Sequence, residues 1–337
     1  QISAKSILNA TATTPVIPAA WQAFRQDIIT TDEVFEQEDL PASMAVIGLG
    51  SIGLELGQSF SRLGVDVTGV DVVENVAKLA DADVNKLAVE TIGKEFPLWL
   101  GAAAELEKVD DGIKLTAGDN EVIVEKVLAS LGRSPNLGNL DLENTGLELG
   151  SNGIPIYDPM TMQCGDSHIY IAGDVNHDRA LLHEAGHEGR VAGYNAVRQS
   201  AQRFKRKAML GITFCDPNIA IVGEQLDELD ASEILIGEVA FAPVGRALIM
   251  GKNRGLLRVY VNKTDGLVRG AAMACVKGEN LAHLLAWSIQ QGMSVHDMLK
   301  IPFYHPVIEE ALQAALYNVV GHIEKKEEVV ELEPVQS

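Results

Sequence analysis

The hydrophobic pattern changes character at Met44. Before it, residues 1–20 hold a short apolar run and then two prolines, Pro15 and Pro18, which reads as a strand with an extended exit. Residues 21–43 read as a connecting segment with one or two helical turns. Met44-Ala45-Val46-Ile47 then forms a short buried strand, followed by the glycine-spaced turn Gly48-Leu49-Gly50-Ser51-Ile52-Gly53. Leu56, Phe60 and Leu63 recur at helical spacing up to Gly64, and Val65 to Val70 gives a second strand closed by Asp71. Residues 105–129 alternate as shorter strands around Asp110-Asp111-Gly112 and Gly118-Asp119-Asn120. A further apolar strand from His168 to Ala172 runs into Gly173-Asp174, with a helix expected over about 180–200. From about residue 208 strands and helices come in blocks, the pattern of a separate α+β domain. Glu324 to Ser337 is Glu-rich, aperiodic and expected to fray.

The strand, turn and helix around Gly48 carry the chemistry of a dinucleotide. Gly48 permits the tight turn, Gly50 lets the backbone approach a pyrophosphate, and Gly53 lets the helix lie close to the sheet. Ser51 and Ile52 open the helix whose free N–H groups face that pyrophosphate. Asp71 follows Gly53 by 18 residues, where a carboxylate accepts hydrogen bonds from ribose hydroxyls and repels a 2′-phosphate. That favours NAD over NADP.

Composition narrows the classes. The 337 residues carry a formal charge of −20, which argues against nucleic acid, whose binding needs clustered cationic groups to replace counterions. Membrane spans and a signal peptide are not expected, and a cytoplasmic setting is. Cys164, Cys215 and Cys275 are far apart in sequence and suit a reducing compartment. Cys215 and Cys275 lie on apolar, strand-like segments and read as buried thiols. His183-Glu184-Ala185-Gly186-His187 spells a zinc-helix motif. Gly186 inside the helix and the lack of an evident third ligand argue against metal.

Several motifs in fixed order resemble the pyridine nucleotide–disulfide oxidoreductases, and most closely the dihydrolipoamide dehydrogenases. Ile47 to Gly57 (IGLGSIGLELG) is similar to their NAD signature, with Glu55 at the position of the glutamate near flavin and nicotinamide. Ala10 to Pro15 (ATATTP) resembles the crossing from flavin to NAD domain, with Ala12 where glycine is usual; Leu131 to Asn136 (LGRSPN), including Gly132 and Arg133, resembles the return. Ile169 to Val175 (IYIAGDV) resembles the second flavin motif, in which Gly173 and Asp174 would hold the ribityl chain. Leu181 to Gly189 resembles the helix after it. Asp216-Pro217 through Gly223 resembles the entry to the dimerisation domain, and Tyr304 to Glu310 (YHPVIEE) the HPTxxE element. In that element His305 would take a thiol proton and Glu310, five residues on, would hold the imidazole.

The resemblance implies a doubly wound, Rossmann-like α/β assembly. A discontinuous flavin domain (1–25 and 138–207) would enclose an NAD domain (26–137), followed by an α+β dimerisation domain (208–325) and an acidic tail (326–337). The implied cofactors are FAD and NAD, and the implied partners are a second copy of the chain and a lipoyl-type or other small disulfide. Family members begin with a glycine-rich βαβ unit and a CxxxxC pair, and neither occurs in these residues. Two readings remain. In one, Gln1 opens mid-strand because an N-terminal FAD and redox segment belongs upstream; in the other, the chain is a non-redox, dimerising NAD-binding module. Glu55 and Asp174, which face flavin in the family, favour the first. Related reductases of other substrates, glutathione or mercuric ion among them, share the framework. The stretch Leu281, Leu284, Leu285, Trp287, Ile289 and Met293 is apolar enough for core or interface.

The ribose argument is tested by binding. NADH should bind more tightly than NADPH, and Asp71→Ala should narrow the difference; equal binding of both by the unmodified chain would refute the role given to Asp71.

Overall fold

In the computed structural model, residues 3–327 and 331–332 are described. Most of the acidic tail, expected to fray, lies outside them. The chain divides into two units: residues 1–19 with 131–207, and residues 20–130 with 208–337.

Seven α-helices occur among the described residues: α1 (Ser51–Arg62), α2 (Ala82–Ile92), α3 (Leu182–Ala196), α4 (Gly245–Ile249), α5 (Gly278–Gln291), α6 (Val295–Leu299) and α7 (Glu310–Val320). None is long and apolar enough to cross a membrane.

In the larger unit, the strand Ser43–Ile47 is apolar from Met44 onward, and Met44, Ala45 and Val46 are fully buried. A strand buried on both faces belongs in the middle of a parallel sheet. It lies there, in the order Ile28–Ile29, Lys126–Ala129, Ser43–Ile47, Asp66–Asp71, Leu98–Leu100, every pairing parallel. Between the last two strands in sequence, the chain folds an antiparallel meander, Glu105–Val109, Gly112–Ala117 and Asn120–Val124. Its middle strand alternates, with Ile113, Leu115 and Ala117 inward.

Residues 28–29 within the stretch expected to be a connection supply an edge strand of this sheet. The helix α1 also differs from its sequence reading. Its buried residues are Gly53, Leu54, Gly57, Gln58 and Phe60, while Leu63 caps the helix and is 64% exposed. Gly64, at φ +95°, turns the chain away before Leu63 reaches the core.

Residues 208–327 of the same unit form an antiparallel sheet, ordered Leu210–Thr213, Asn218–Gly223, Val268–Cys275, Leu256–Asn262, Ile234–Ala240. On one face Leu257, Val259 and Met273 pack with Leu281 and Leu285 of α5 and Leu312 and Leu316 of α7. On the other, Ile219, Ile221, Tyr260, Ala272 and Ala274 share a core with Ala88 and Ile92 of α2 and Phe60 of α1. Burial of each large aliphatic side chain contributes about 1.5–3 kcal/mol. The α5 stripe is split: Leu281 and Leu285 are buried, whereas Trp287 is 65% exposed.

In the smaller unit, Ile7–Asn9 pairs parallel with Ile169–Ile171, and Gln163–Cys164 and Tyr157–Asp158 extend that sheet antiparallel. The two crossing segments, Thr13–Pro15 and Arg133–Pro135, pair with each other. The helix α3 buries Glu184, Glu188, Val191, Ala192 and Asn195 along one face.

Ala12 has φ +57°, the left-handed region that an L-residue with a Cβ enters at a cost of about 1–2 kcal/mol. It is exposed, so glycine would meet no steric obstacle there. Ala12→Gly should therefore stabilise the protein by about 0.5–1 kcal/mol, part of the gain being offset by the greater freedom of an unfolded glycine. Chemical denaturation checks this, and a lower midpoint for the variant would refute it.

Candidate functional site

The dinucleotide loop is built from the end of the strand Ser43–Ile47. Gly48 sits at φ +96° and its N–H donates to Val70 O at 2.9 Å, turning the chain sharply off the sheet. A Cβ on Gly53 would lie 1.9 Å from Gly48 O and 2.8 Å from Ser130 Oγ. Only glycine permits this approach. Ser130 Oγ donates to Ile47 O at 3.1 Å and Gly48 O at 2.8 Å, which fixes the carbonyl side of the turn. Gly50, the N-cap of α1, offers no side-chain cap, and a Cβ there would meet nothing within 4 Å. The first N–H groups of α1 thus face open space, the arrangement that receives a pyrophosphate. These residues fit a dinucleotide.

Asp71 lies at the end of the neighbouring strand, but its carboxylate first braces the loop. Oδ2 accepts from Leu49 N–H at 2.6 Å and Oδ1 from Val73 N–H at 3.2 Å. Each oxygen keeps a further lone pair for a ribose hydroxyl.

The rest of α1 points polar groups at the segment 213–216. Ser51 Oγ lies 2.7 Å from Thr213 Oγ1, and Glu55 Oε1 accepts from Phe214 N–H at 2.7 Å. Gln58 exchanges hydrogen bonds with the backbone of Asp216, its Nε2 donating to O at 3.0 Å and its Oε1 accepting from N–H at 2.8 Å. Ile52 is 38% exposed beside them in sequence. Thr213, Phe214 and Ser130 were not legible as site residues; their positions depend on strands paired far along the chain.

In the smaller unit, Gly132 (φ +91°) accepts at its carbonyl from Val16 N–H at 3.0 Å. Arg133 donates to Thr13 Oγ1 and Thr13 O, both at 2.9 Å. Gly132 and Arg133 therefore secure the paired crossing segments. Gly173 (φ +79°) donates its N–H to Glu188 Oε2 at 2.8 Å. Asp174, half-buried, accepts no hydrogen bond at its carboxylate from the described residues. A free, acceptor-only group on a fixed loop suits a polyhydroxyl chain, so the flavin motif fits its ligand.

Glu184, the central acid of the zinc-like motif, is 1% exposed and is paired with Arg179 at 3.0 Å and Arg206 at 3.4 Å. Burial lowers the pKa of His187, with Lys207 adding to the effect. No three candidate ligands converge among the described residues. All three cysteines are free and buried. Burial pushes Cys164 up to about 11 and Cys215 up to about 12, and raises Cys275 as well, so they are neutral thiols rather than nucleophiles.

His305, in the larger unit, is largely exposed, with 81% of its side chain open to solvent. Its Nδ1 lies 2.8 Å from Glu310 Oε1, and Glu310 Oε2 accepts from Val307 N–H at 3.0 Å. Glu310 opens α7, where the positive end of the helix favours a carboxylate. The His305–Pro306 peptide is cis. No hydrogen bond or ion pair joins this couple to the dinucleotide loop among the described residues.

Residues 1–189 match the family described as pyridine nucleotide-disulphide oxidoreductase, and residues 209–316 match the dimerisation domain of that family. A dihydrolipoyl dehydrogenase of Haloferax volcanii is 32% identical over 88% of the chain, and the chain spans 64% of that relative's length. A mercuric reductase of Staphylococcus aureus is 28% identical over 88% of the chain, which spans 56% of it. A soluble pyridine nucleotide transhydrogenase of Mycobacterium bovis is 27% identical over 94% of the chain, which spans 68% of it. Among solved structures, LpdA of Mycobacterium tuberculosis superposes with a TM-score of 0.82 at 24% identity, covering 93% of this chain and 69% of that one. The HOCl-induced flavoprotein disulfide reductase of Escherichia coli gives 0.81 at 19% identity, covering 93% and 73%. Both likenesses are of fold.

The hydrogen bond from His305, and then that from Val307 N–H, hold the Glu310 carboxyl below the usual glutamate range. A folded pKa below the unfolded one contributes stability that is present above the unfolded value and lost as pH falls through the folded one. Glu310→Gln should therefore lower the melting temperature at roughly pH 6, and that difference should shrink as pH is taken down below the ordinary glutamate pKa of about 4.3 and through the lower folded one. An equal loss across that range would show that the carboxylate charge is not what holds His305.

Proposed function

The chain belongs to the pyridine nucleotide-disulphide oxidoreductase family, whose members use FAD and a nicotinamide dinucleotide, and from that premise we propose that it is the larger part of a dihydrolipoamide dehydrogenase-type enzyme. Such an enzyme moves electrons from a dithiol through a protein disulfide and flavin to NAD. The observation that carries this reading is the His305–Glu310 couple. With Nδ1 directed at the Glu310 carboxylate, Nε2 is left exposed as the basic nitrogen. Imidazole in that tautomer can accept a thiol proton at Nε2 and return it, while the carboxylate fixes the plane of the ring. A transferase of phosphate or acyl groups has no need of that couple in the same chain as a dinucleotide loop.

Asp174 and Gly173 would hold the flavin's ribityl chain, and Gly48, Gly50, Gly53 and Asp71 the dinucleotide. Gly132 and Arg133 would keep the crossing between the two binding domains in place. When bound, FAD supplies the two-electron acceptor between disulfide and nicotinamide. Glu55, held by Phe214 N–H, keeps its second oxygen free beside the start of α1. The redox cysteine pair is assigned to the part of the family's length that this chain does not span. We assign the lipoyl-type disulfide as substrate from the motif order and from the Haloferax relative. In domain terms the reading keeps 1–25 with 138–207 as the flavin part, 26–137 as the NAD part and 208–325 as the dimerisation part.

The exposure of His305 and Tyr304, which is 80% exposed, is what a shared site requires. In a two-fold dimer each His305 would serve the redox centre of the other subunit. Mixing two inactive variants of the complete enzyme, His305→Ala and a redox-cysteine variant, tests this. Each alone should lose about 10²-fold or more in dithiol oxidation, and reconstituted heterodimers should regain one working site of two. Heterodimers that form but stay inactive would refute the shared site; full activity of His305→Ala would refute the assignment of the base.

A further inference from the structure

Residues 198–207 have no regular secondary structure beyond the end of α3, yet they are tied down along their length as a strap within the smaller unit. Gln202 N–H donates to Asn195 Oδ1 at 2.9 Å, Phe204 N–H donates to Met160 O at 2.8 Å, and Arg203 pairs with Asp158. The Phe204 ring meets Tyr194 edge-on at 5.0 Å. Arg206 reaches deepest. It pairs with Asp178, approaches Glu184 at 3.4 Å, and donates to Glu188 Oε1 at 2.7 Å. Glu184 and Glu188 are each 1% exposed, and Arg206 Nε is buried with no partner.

The other oxygen of Glu188 holds the flavin-motif loop. It receives Gly173 N–H at 2.8 Å and Asn176 Nδ2 at 2.7 Å, and Asn176 Oδ1 in turn accepts from Asp178 N–H at 3.0 Å. Asp174 stands between the two residues so clamped. Gly173 lies at φ +79°, and a glycine there has many alternatives open to it. The loop closes on itself as a 3-10 turn, with Asn176 N–H donating to Gly173 O at 2.9 Å and His177 N–H to Asp174 O at 3.0 Å, and the carboxylate behind it anchors that turn at both ends. That carboxylate, taken from water, keeps its charge and its direction only with a cation on its other oxygen.

We propose that Arg206 and Glu188 are positioning residues for the flavin: the strap fixes the Gly173–Asn176 loop through Glu188 and thereby fixes the direction in which Asp174 is offered to the ribityl chain. This rests on the role given to Asp174 above. Neither residue touches the cofactor in this scheme.

The test uses the complete flavoenzyme carrying Glu188→Gln, Arg206→Lys, Arg203→Ala or Asp174→Ala, each checked for fold by far-UV circular dichroism. Three readouts apply: the FAD dissociation constant, the visible flavin spectrum, and deuterium exchange in the peptide 169–177. Glu188→Gln and Arg206→Lys should weaken FAD roughly tenfold or more, shift the flavin band and speed exchange of the loop. Arg203→Ala, on the same strap but remote from Glu188, should do none of these. If Arg206→Lys fails to fold, Glu188→Gln, which keeps the side-chain volume, decides alone. Wild-type FAD affinity and loop exchange in Glu188→Gln would overturn the proposal, as would equal losses in Arg203→Ala and Arg206→Lys. Asp174→Ala separates the premise from the inference: if it too leaves FAD binding unchanged, the motif assignment fails, and if it alone weakens binding, only the positioning role fails.

Discussion

The approach of α1 to the end of the strand Ser43–Ile47 is the constraint from which the larger unit follows. With a hypothetical Gly53 Cβ only 1.9 Å from Gly48 O, helix and strand are closer than any other residue would allow. That closeness aims the uncapped N–H groups of α1 over the loop. It also sets the rotation of the helix, and so decides which side chains face residues 213–216. Ser51, Glu55, Gln58 and Arg62 follow one another at helical spacing, and all four bond to that segment, Arg62 reaching Asp216 at 3.3 Å. The glycine that permits the close approach thus also aligns a polar stripe that ties α1 to the C-terminal sheet.

A second tie works with the first. Asp81 caps α2 by accepting from Asp83 and Val84 N–H, and the same buried carboxylate receives Arg258 at 2.7 Å and Tyr260 Oη at 2.8 Å from the antiparallel sheet. Losing one member of such a set leaves an uncompensated buried charge, at a cost of about 3–5 kcal/mol. Between these polar ties lies a shared apolar core, with Tyr260 and Ala272 against residues of α1 and α2. Two stretches that read as separate domains along the chain are for this reason joined in one compact unit.

Legibility followed the range of the interactions. The glycine spacing at Gly48, the helix α1, the meander turns and the His305–Glu310 spacing are patterns written within a dozen residues and visible in the letters, although the turn at Gly48 is also held from afar by Val70 and Ser130. The edge strand Ile28–Ile29 is two residues long and exists only because Lys126–Ala129 offers it a parallel partner. Leu63 shares the helical spacing of Leu56 and Phe60 but stands at the C-cap of α1 and is exposed. Thr213 and Phe214 reach the site by long-range pairing. Ser51 and Glu55 were legible as cofactor-site candidates, but the tie that Ser51, Glu55, Gln58 and Arg62 make to residues 213–216 was not, since polar residues on a helix ordinarily face water.

The zinc-like motif on α3 shows how far the same letters depend on what opposes them. Glu184 and Glu188 are spaced to lie on one face, and that face turns inward. With histidines converging on an ion, Glu184 would be a base; opposed by Arg179 and Arg206 it is one end of an ion network. Arg206 comes from a run of five cationic residues between Arg198 and Lys207 in a chain with 47 acidic and 27 basic side chains. Cations are scarce here, and the arginines stand at junctions: Arg62 and Arg258 between the sheets of the larger unit, Arg133 on the crossing segments, Arg206 behind the flavin motif. Within a net charge of −20, the buried carboxylates Asp81, Glu184 and Glu188 are each matched by Arg258 or Arg206. Arg133, Arg206 and Arg258 each hold a crossing, a loop or a seam in place, the task for which a planar, multiply donating head is suited.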